Sequence, residues 1–360
     1  MGQATQGTYQ AGLSAAEVAN LAGDNPIIKL SSNENPFGPS PKAIAAAQET
    51  LAQVNSYPER DDAKIREALA AFHGNGLSEE NFFSANSGVE TLALIEEALI
   101  NPKERAIICP PCFGAYRSSL GNRDALIDAV PLKGDHYEVD VEGILSAVTE
   151  DTRLVYLCNP NNPTGTFFGQ DILDAVLDGL PDHVTLIYDE VYYQFATEFD
   201  LPDAQKHVRD GRNIVIVHSF SKAYGLAGMR IGYGIGPADI IKKIRGKKRS
   251  FHVNSVSMAA ALAAINDEEH LSQTVSNNTL ERVRVSQGLK QLGLKVAPSQ
   301  SNFVMFQCPY DLSAKELTTK LVAVGVMVRP AFDLTTHIRA TIGKPDENAR
   351  MLAALSDILK

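Results

Sequence analysis

The sequence predicts an α/β protein of two lobes: a large domain with a mostly parallel sheet flanked by helices, and a smaller α/β domain. Three observations carry this. Ala106-Ile-Ile-Cys-Pro, Leu154-Val-Tyr-Leu-Cys, Val184-Thr-Leu-Ile-Tyr and Asn213-Ile-Val-Ile-Val are short, nearly continuous apolar runs, the pattern of strands buried on both faces. Helical patterns lie around them, an alanine-rich one over 42–52, an amphipathic one over 63–72 and another over about 89–100. At 360 residues and 38.9 kDa the chain also exceeds the usual single-domain size.

Taken in order, the polar lead holds a lone Tyr9, and Ser14-Ala-Ala-Glu17 has the form of a capping box opening a short helix. Ile27–Leu30 reads as a short strand. The stretch Ser31-Ser-Asn-Glu-Asn-Pro-Phe-Gly-Pro-Ser-Pro41 is a loop, because three prolines and a glycine interrupt any regular structure. Asn55-Ser-Tyr-Pro-Glu-Arg-Asp-Asp62 is a second loop. Asn81–Glu90 leads a short strand into the helix near 89, and the small residues Ala85, Asn86 and Ser87 at that helix start expose backbone N–H groups suited to a phosphate. Beyond 250 a broken helical stretch over about 255–292 leads to a lobe of strands near 302–306, 326–328 and 338–342, with helices over 314–324 and from 346. Domain boundaries are expected at 1–40, 41–250 and 251–360.

Composition narrows the function. The 44% hydrophobic and 21% charged fractions are those of an ordinary globular protein, and no run is apolar enough to span a bilayer. With 33 basic and 43 acidic residues the net charge is −10, which argues against nucleic acid as partner. The lysine-rich run Ile240–Arg249 reads as the solvated face of a helix. No basic-then-apolar leader opens the chain, so a cytoplasmic home is expected. The four cysteines, Cys109, Cys112, Cys158 and Cys308, are too few and scattered for a disulfide framework. Cys109-Pro-Pro-Cys112 lacks the second pair a zinc site needs, so no metal is expected.

The chemistry concentrates at the ends of the buried strands, where open α/β sheets build their sites. One run ends in Asn159-Pro-Asn-Asn-Pro-Thr-Gly165, the next in Asp189-Glu-Val-Tyr192, and the third in Ser219-Phe-Ser-Lys222. Lys222 stands between the hydroxyls of Ser219 and Ser221 on one side and the fork of Arg230 on the other: an anion cup beside an amine. A lysine desolvated near a fixed cation has a lowered pKa and becomes a nucleophile for a carbonyl carbon. A plain lysine beside a glycine turn would explain the bend but not the neighbouring carboxylate and amide.

The string from 219 to 232 satisfies S-x-S-K-x-x-G-x-x-G-x-R-x-G at every fixed position. It resembles the cofactor-lysine signature of aminotransferases of pyridoxal phosphate (PLP) fold type I. The S-x-N-E-N-P-x-G-P-S-P and Tyr57-Pro loops, and N-P-N-N-P-T-G, are similar to those of the histidinol-phosphate aminotransferase family. The resemblance spans nearly the whole chain, and implies that the N-terminal segment joins the smaller domain. It implies PLP held covalently by Lys222, with Asp189 on the pyridine nitrogen, Asn162 and Tyr192 on the phenolic oxygen, and Phe113 stacked on the ring. Ala85, Asn86, Ser87, Ser219, Ser221 and Arg230 would hold the phosphate, joined by Tyr57 from the other subunit of a homodimer with shared sites. Tyr9, Asn33, Arg329 and Arg339 would face the substrate.

Two departures stand out. Where the family shows G-N-G-S-D-E this chain has Ala85-Asn-Ser-Gly-Val-Glu90, and between Arg329 and Arg339 a glycine-rich loop is replaced by Pro330-Ala-Phe-Asp-Leu-Thr-Thr-His-Ile. Histidinol phosphate with 2-oxoglutarate is therefore the favoured substrate pair. An aromatic amino acid is the alternative, followed by lyase or decarboxylase chemistry on a phosphorylated amino acid. A regulator with an aminotransferase-like domain would need a DNA-binding module ahead of it, and about thirty acidic-neutral residues do not suffice. Gly232-Tyr-Gly-Ile-Gly236 lacks the full dinucleotide fingerprint, which sets a dehydrogenase aside.

Overall fold

The apolar runs become neighbouring strands in a computed structural model that describes residues 15–197, 201–332 and 334–360. The strands are β1 (Ile28–Lys29), β2 (Phe82–Ala85), β3 (Arg105–Ile108), β4 (Leu126–Ala129), β5 (Thr152–Cys158), β6 (Thr185–Asp189), β7 (Ile214–Ser219), β8 (Gly232–Ile235), β9 (Phe303–Gln307), β10 (Val326–Met327), β11 (Arg329–Ala331) and β12 (Leu334–Thr341). Seven form one sheet in the order β2-β8-β7-β6-β5-β3-β4. Its β3, β4, β5, β6 and β7 pair in parallel, whereas β8 runs antiparallel to both its neighbours.

Strand periodicity explains why this sheet needs cover on both faces. Val155, Leu157, Leu186, Tyr188, Ile214 and Ile216 point into one apolar cluster, and their alternates Leu154, Tyr156, Ile187, Val215 and Val217 into another. Helices supply both layers. One of them, Ala238–Arg245, buries Ile240, Ile241 and Ile244 and leaves Lys242 and Lys243 exposed, so only the first part of the basic run is a solvated helix face, while the Lys248 side chain beyond it is largely buried in an ion pair with Asp62.

Register aligns the strand ends. Asp189 lies opposite Cys158 of β5 and Val217 of β7, and β7 runs two residues further to Ser219, which faces Gly232 of β8. The chain between β7 and β8, carrying Lys222, therefore folds back over the sheet's edge. The glycines of β8, set aside above as a dinucleotide fingerprint, have a packing reason. A Cβ on Gly234 would lie 2.2 Å from the Phe83 ring, and one on Gly232 2.7 Å from the backbone of Ser87 and Gly88.

The smaller lobe holds an antiparallel sheet, β11-β12-β9, and a parallel pair, β1-β10. Ile28 pairs with Val326, so both ends of the chain build this lobe. Leu30, Val304, Phe306, Leu317, Leu321, Ile338, Ala340, Met351 and Leu355 form its core. The strand expected near 338–342 begins four residues earlier, at Leu334, because Arg329–Ala331 folds onto it as a hairpin. The long helical stretch breaks into Ser255–Ala264 and Glu268–Gln291. No helix among the described residues is long and apolar enough to cross a membrane.

One contact between loops lends itself to a stability test. Gly225, at φ +69°, leaves no room for a side chain, since a Cβ would lie 2.1 Å from the carbonyl oxygen of Gly38. Gly211 has φ +73° and open space around it. Urea unfolding should show Gly225→Ala losing about 3 kcal/mol and Gly211→Ala about 1 kcal/mol, the difference measuring that contact. Equal losses would mean that the loop is free to move aside.

Candidate active site

The ends of β5, β6 and β7 carry the chemistry. Asp189 is 4% exposed. Burial raises its carboxyl to about 6, opposed by donation from Tyr116 and from the Val191 backbone. Tyr116 Oη donates to Oδ2 at 2.6 Å and Val191 N to Oδ1 at 3.1 Å, so both oxygens are held.

Lys222 comes off β7 three residues past its end and donates to the carbonyl oxygen of Ser32 at 3.1 Å, with its amine 5.9 Å from the Tyr192 ring centre. Burial lowers its pKa to about 8, and Arg339, Arg230 and Arg329 add to the effect while Glu34 opposes it. The amine is therefore partly neutral near physiological pH, the state a nucleophile or general base needs.

A buried polar network ties the lobes together above this amine. Tyr192 Oη accepts from Nδ2 of Asn162 and from Nδ2 of Asn33, each at 3.1 Å. Arg339 of β12 donates to Asn162 Oδ1 at 2.7 Å and to Ser31 O at 2.9 Å, which fixes which way the Asn162 amide points. Asn33 is held in turn by Thr341, whose Oγ1 accepts from its backbone N–H at 2.9 Å, and by Asn302. Arg329 lies directly across the hairpin from Arg339.

A cavity of about 250 Å³ gathers these groups. Its wall includes Asn33, Ser87, Phe113, Asn162, Asp189, Tyr192, Ser219, Ser221, Lys222, Arg230, Arg329 and Arg339, all singled out from the sequence. Among the expected residues, Ala85 and Asn86 are not on it. Ala85 is the last residue of β2, and Asn86 turns away, its N–H donated to Glu90 and its side-chain amide to the carbonyl of His252. The wall continues instead through Ser87, Gly88 and Val89, because the helix starts at Gly88 after a left-handed Ser87 at φ 115°. The part of this segment that lines the cavity is thus the helix start, with Ser87, Gly88 and Val89.

Tyr57 is also absent from this cavity: it is 85% exposed and stacks near Phe251, ring centres 5.2 Å apart, beside a separate basic groove. Tyr9 lies outside the described residues. Sequence reasoning missed Ser32, Phe332 and Tyr116. Phe332, at φ 45°, lies 5.4 Å and 5.6 Å from the guanidinium carbons of Arg329 and Arg339 and edges onto Phe113 at 6.0 Å. An aromatic one position after Ala331 was the available signal, but its reach depends on the hairpin.

These residues fit PLP. An amine with a lowered pKa, a carboxylate, an amide and phenol pair, a flat ring, two hydroxyls with a guanidinium, and a helix start line one small cavity, one donor type for each face of that molecule. Gly232 lets β8 lie close against the start of that helix: a Cβ there would strike the backbone of Ser87 and Gly88. Fold and site together define an α/β enzyme of the lysine-PLP type.

The comparisons narrow the class. The chain belongs to the aminotransferase class I and II family, whose pattern it matches over residues 25–355. It is 38% identical over 355 residues to a histidinol-phosphate aminotransferase of Akkermansia muciniphila, covering 98% of this chain and 96% of the relative. It is 37% identical to histidinol-phosphate aminotransferase 2 of Carboxydothermus hydrogenoformans, over 98% and 96% of the two chains. Among solved structures, histidinol-phosphate aminotransferase of Sinorhizobium meliloti in complex with pyridoxal-5'-phosphate superposes with a TM-score of 0.88 at 25% identity, over 98% and 95% of the chains. Aspartate aminotransferase of Thermus thermophilus shares the fold, with a TM-score of 0.85 at 22% identity over 95% and 94% of the chains.

The electrostatics predict a measurable titration. In the cofactor-free protein, trapping of Lys222 by a small aldehyde and borohydride, followed by mass spectrometry across pH, should show a midpoint near 8 in place of the ordinary 10.5. Arg339→Gln removes a cation that disfavours the charged amine, so its midpoint should move upward. A midpoint near the ordinary value in both proteins would count against the buried amine.

Proposed function

We propose that the chain is a PLP-dependent aminotransferase that moves an amino group between histidinol phosphate and the 2-oxoglutarate/glutamate pair. The observation that carries this is the pairing of Arg329 and Arg339 across one hairpin, on the same cavity as Lys222. The names of the relatives point to the same substrate. When bound, PLP supplies an electron sink for the charge left on the substrate's α-carbon when its proton departs.

The chain's residues do the rest. Asp189 would keep the pyridine nitrogen charged, Asn162 and Tyr192 would hold the phenolic oxygen, and Phe113 would fix the plane of the ring. Ser87, Gly88, Val89, Ser219, Ser221 and Arg230 hold the phosphate. Lys222 Nζ would hold the cofactor, and as a free amine would take the proton from the substrate α-carbon as general base. Arg339 binds the carboxylate of glutamate in one half-reaction and the phosphate of histidinol phosphate in the other. Arg329 and Tyr9 serve the phosphate more than the carboxylate, and Asn33 shares the cavity wall with Arg329.

The protein acts as a cytoplasmic homodimer with shared sites. Ile44, Leu51, Val54 and Phe251 leave apolar surface exposed near Tyr57, and a second copy would cover it. Tyr57, remote from its own cavity, then reaches the partner's phosphate. An aromatic amino acid as donor is the second reading, favoured by the rings of Phe113 and Phe332 beside the arginines.

A comparison of kcat/KM for histidinol phosphate, phenylalanine, tyrosine and O-phosphothreonine decides the donor, with histidinol phosphate expected to lead. Arg329→Ala should then depress histidinol phosphate turnover more than phenylalanine turnover, by roughly 30-fold or more given about 2 to 5 kcal/mol for breaking a buried charged contact. A lead of phenylalanine beyond about tenfold, or 1.4 kcal/mol, moves the assignment to aromatic substrates. Mixing Tyr57→Phe with Lys222→Ala chains should restore part of the native activity, because each hybrid keeps one intact site and one doubly damaged one.

A further inference from the structure

We propose that Tyr116 is a positioning residue that fixes the Asp189 carboxylate and the Phe113 ring relative to each other, so that both meet one flat cofactor ring. The inference rests on the reading of Asp189 as the partner of the ring nitrogen. Tyr116 is the second residue of the helix Ala115–Asn122 and is 1% exposed. Its hydroxyl donates to Asp189 Oδ2 at 2.6 Å, a charge-assisted length. The edge of its ring stands against Phe113, centres 5.7 Å apart and planes 87° apart.

A buried phenol needs some acceptor, and a backbone carbonyl would satisfy it. Here the acceptor is a carboxylate whose other oxygen already accepts from Val191 N. The two donors lock the rotation of the carboxylate, and each oxygen keeps a second lone pair for one further donor. Tyr116 cannot drift, because its ring lies tilted on Tyr156 at 4.9 Å, and Tyr156 donates to the buried Glu96 at 2.8 Å. Helix, ring and carboxylate are thereby clamped by one side chain bridging β6 and the loop after β3.

The other ionisable groups around Asp189 are Glu190 beside it on the chain, Lys222 from the loop after β7, Cys158 at the end of β5, and Tyr192. Among the described residues, Tyr116 is the one side-chain donor to the Asp189 carboxylate. Removing the hydroxyl disfavours the charged carboxylate, and with it the charged ring nitrogen.

The test uses Tyr116→Phe, Asp189→Asn and Tyr156→Phe. Two readouts are taken: the dissociation constant of PLP from each protein, and the 15N resonance of ring-nitrogen-labelled PLP in each holoenzyme across pH. Tyr116→Phe should fold as the parent does, bind PLP about tenfold more weakly, and lose the ring-nitrogen proton at lower pH. Asp189→Asn should do both more strongly. Tyr156→Phe should lower the melting temperature and leave the nitrogen resonance in place. An unchanged resonance in Tyr116→Phe beside a shifted one in Asp189→Asn overturns the positioning role while the cofactor reading stands. An unchanged resonance in Asp189→Asn removes the nitrogen assignment itself, and the proposal with it.

Discussion

The shared register of β5, β6 and β7 is the constraint on which the site depends. Parallel strands cannot be joined by tight turns, so each crosses back through a helix and every chain segment leaves the sheet at the same edge. Because Cys158, Asp189 and Val217 are aligned, Asn162, Tyr192 and Lys222 follow their strands at similar heights. A slip of one residue in β6 would turn Asp189 to the other face. The alternating clusters on the two faces oppose such a slip, since it would carry Leu186 and Tyr188 into the layer built for Ile187.

What the strands set up, the smaller lobe completes with charge. Lys222, Arg230, Arg329 and Arg339 share one cavity whose wall carries the carboxylates of Glu34 and Asp189. Burial is the first cause of the lowered Lys222 pKa, and the three guanidiniums add to it, since like charges gathered in one cavity disfavour the charged amine. A phosphate, a carboxylate and a carbonyl compound condensed with that amine would relieve the repulsion. The −10 net charge of the whole chain says nothing of this local field, which is why composition excluded a nucleic-acid partner yet left the anionic ligand to the motifs.

Legibility followed sequence separation. Lys222, Ser219, Ser221 and Arg230 lie within twelve residues, and Asn162 and Asp189 end apolar runs, so short-range pattern sufficed to bring them to one cavity. The cavity wall takes in Ser87, Gly88 and Val89 and leaves out Ala85 and Asn86, because it depends on where the helix starts, and a left-handed Ser87 sets that start. Tyr116 to Asp189 spans 73 positions, and Arg339 to Asn162 spans 177. No local signal could pair them. The hairpin that sets Arg329 against Arg339 was likewise hidden, since Pro330 disguises a strand and the bend after it is irregular.

The two carboxyls at the end of β6 show how burial assigns different states to neighbours. Asp189, held by two donors, stays near 6, whereas Glu190 is pushed up to about 8 by burial, with Asp203 adding to it. At neutral pH Asp189 is the charged one and Glu190 the protonated one, so the strand end does not carry two adjacent negative charges. Glu190 faces Nε2 of His218 at 3.1 Å, and burial holds that imidazole neutral, its pKa near 3. The acid proton therefore bridges to a neutral ring whose other nitrogen meets Tyr233 at 3.2 Å, and Tyr233 meets His73 at 3.0 Å. Behind the charged carboxylate lies a chain of uncharged hydrogen bonds, which supports β6 without adding a counter-charge that would compete for the ring nitrogen Asp189 is proposed to hold.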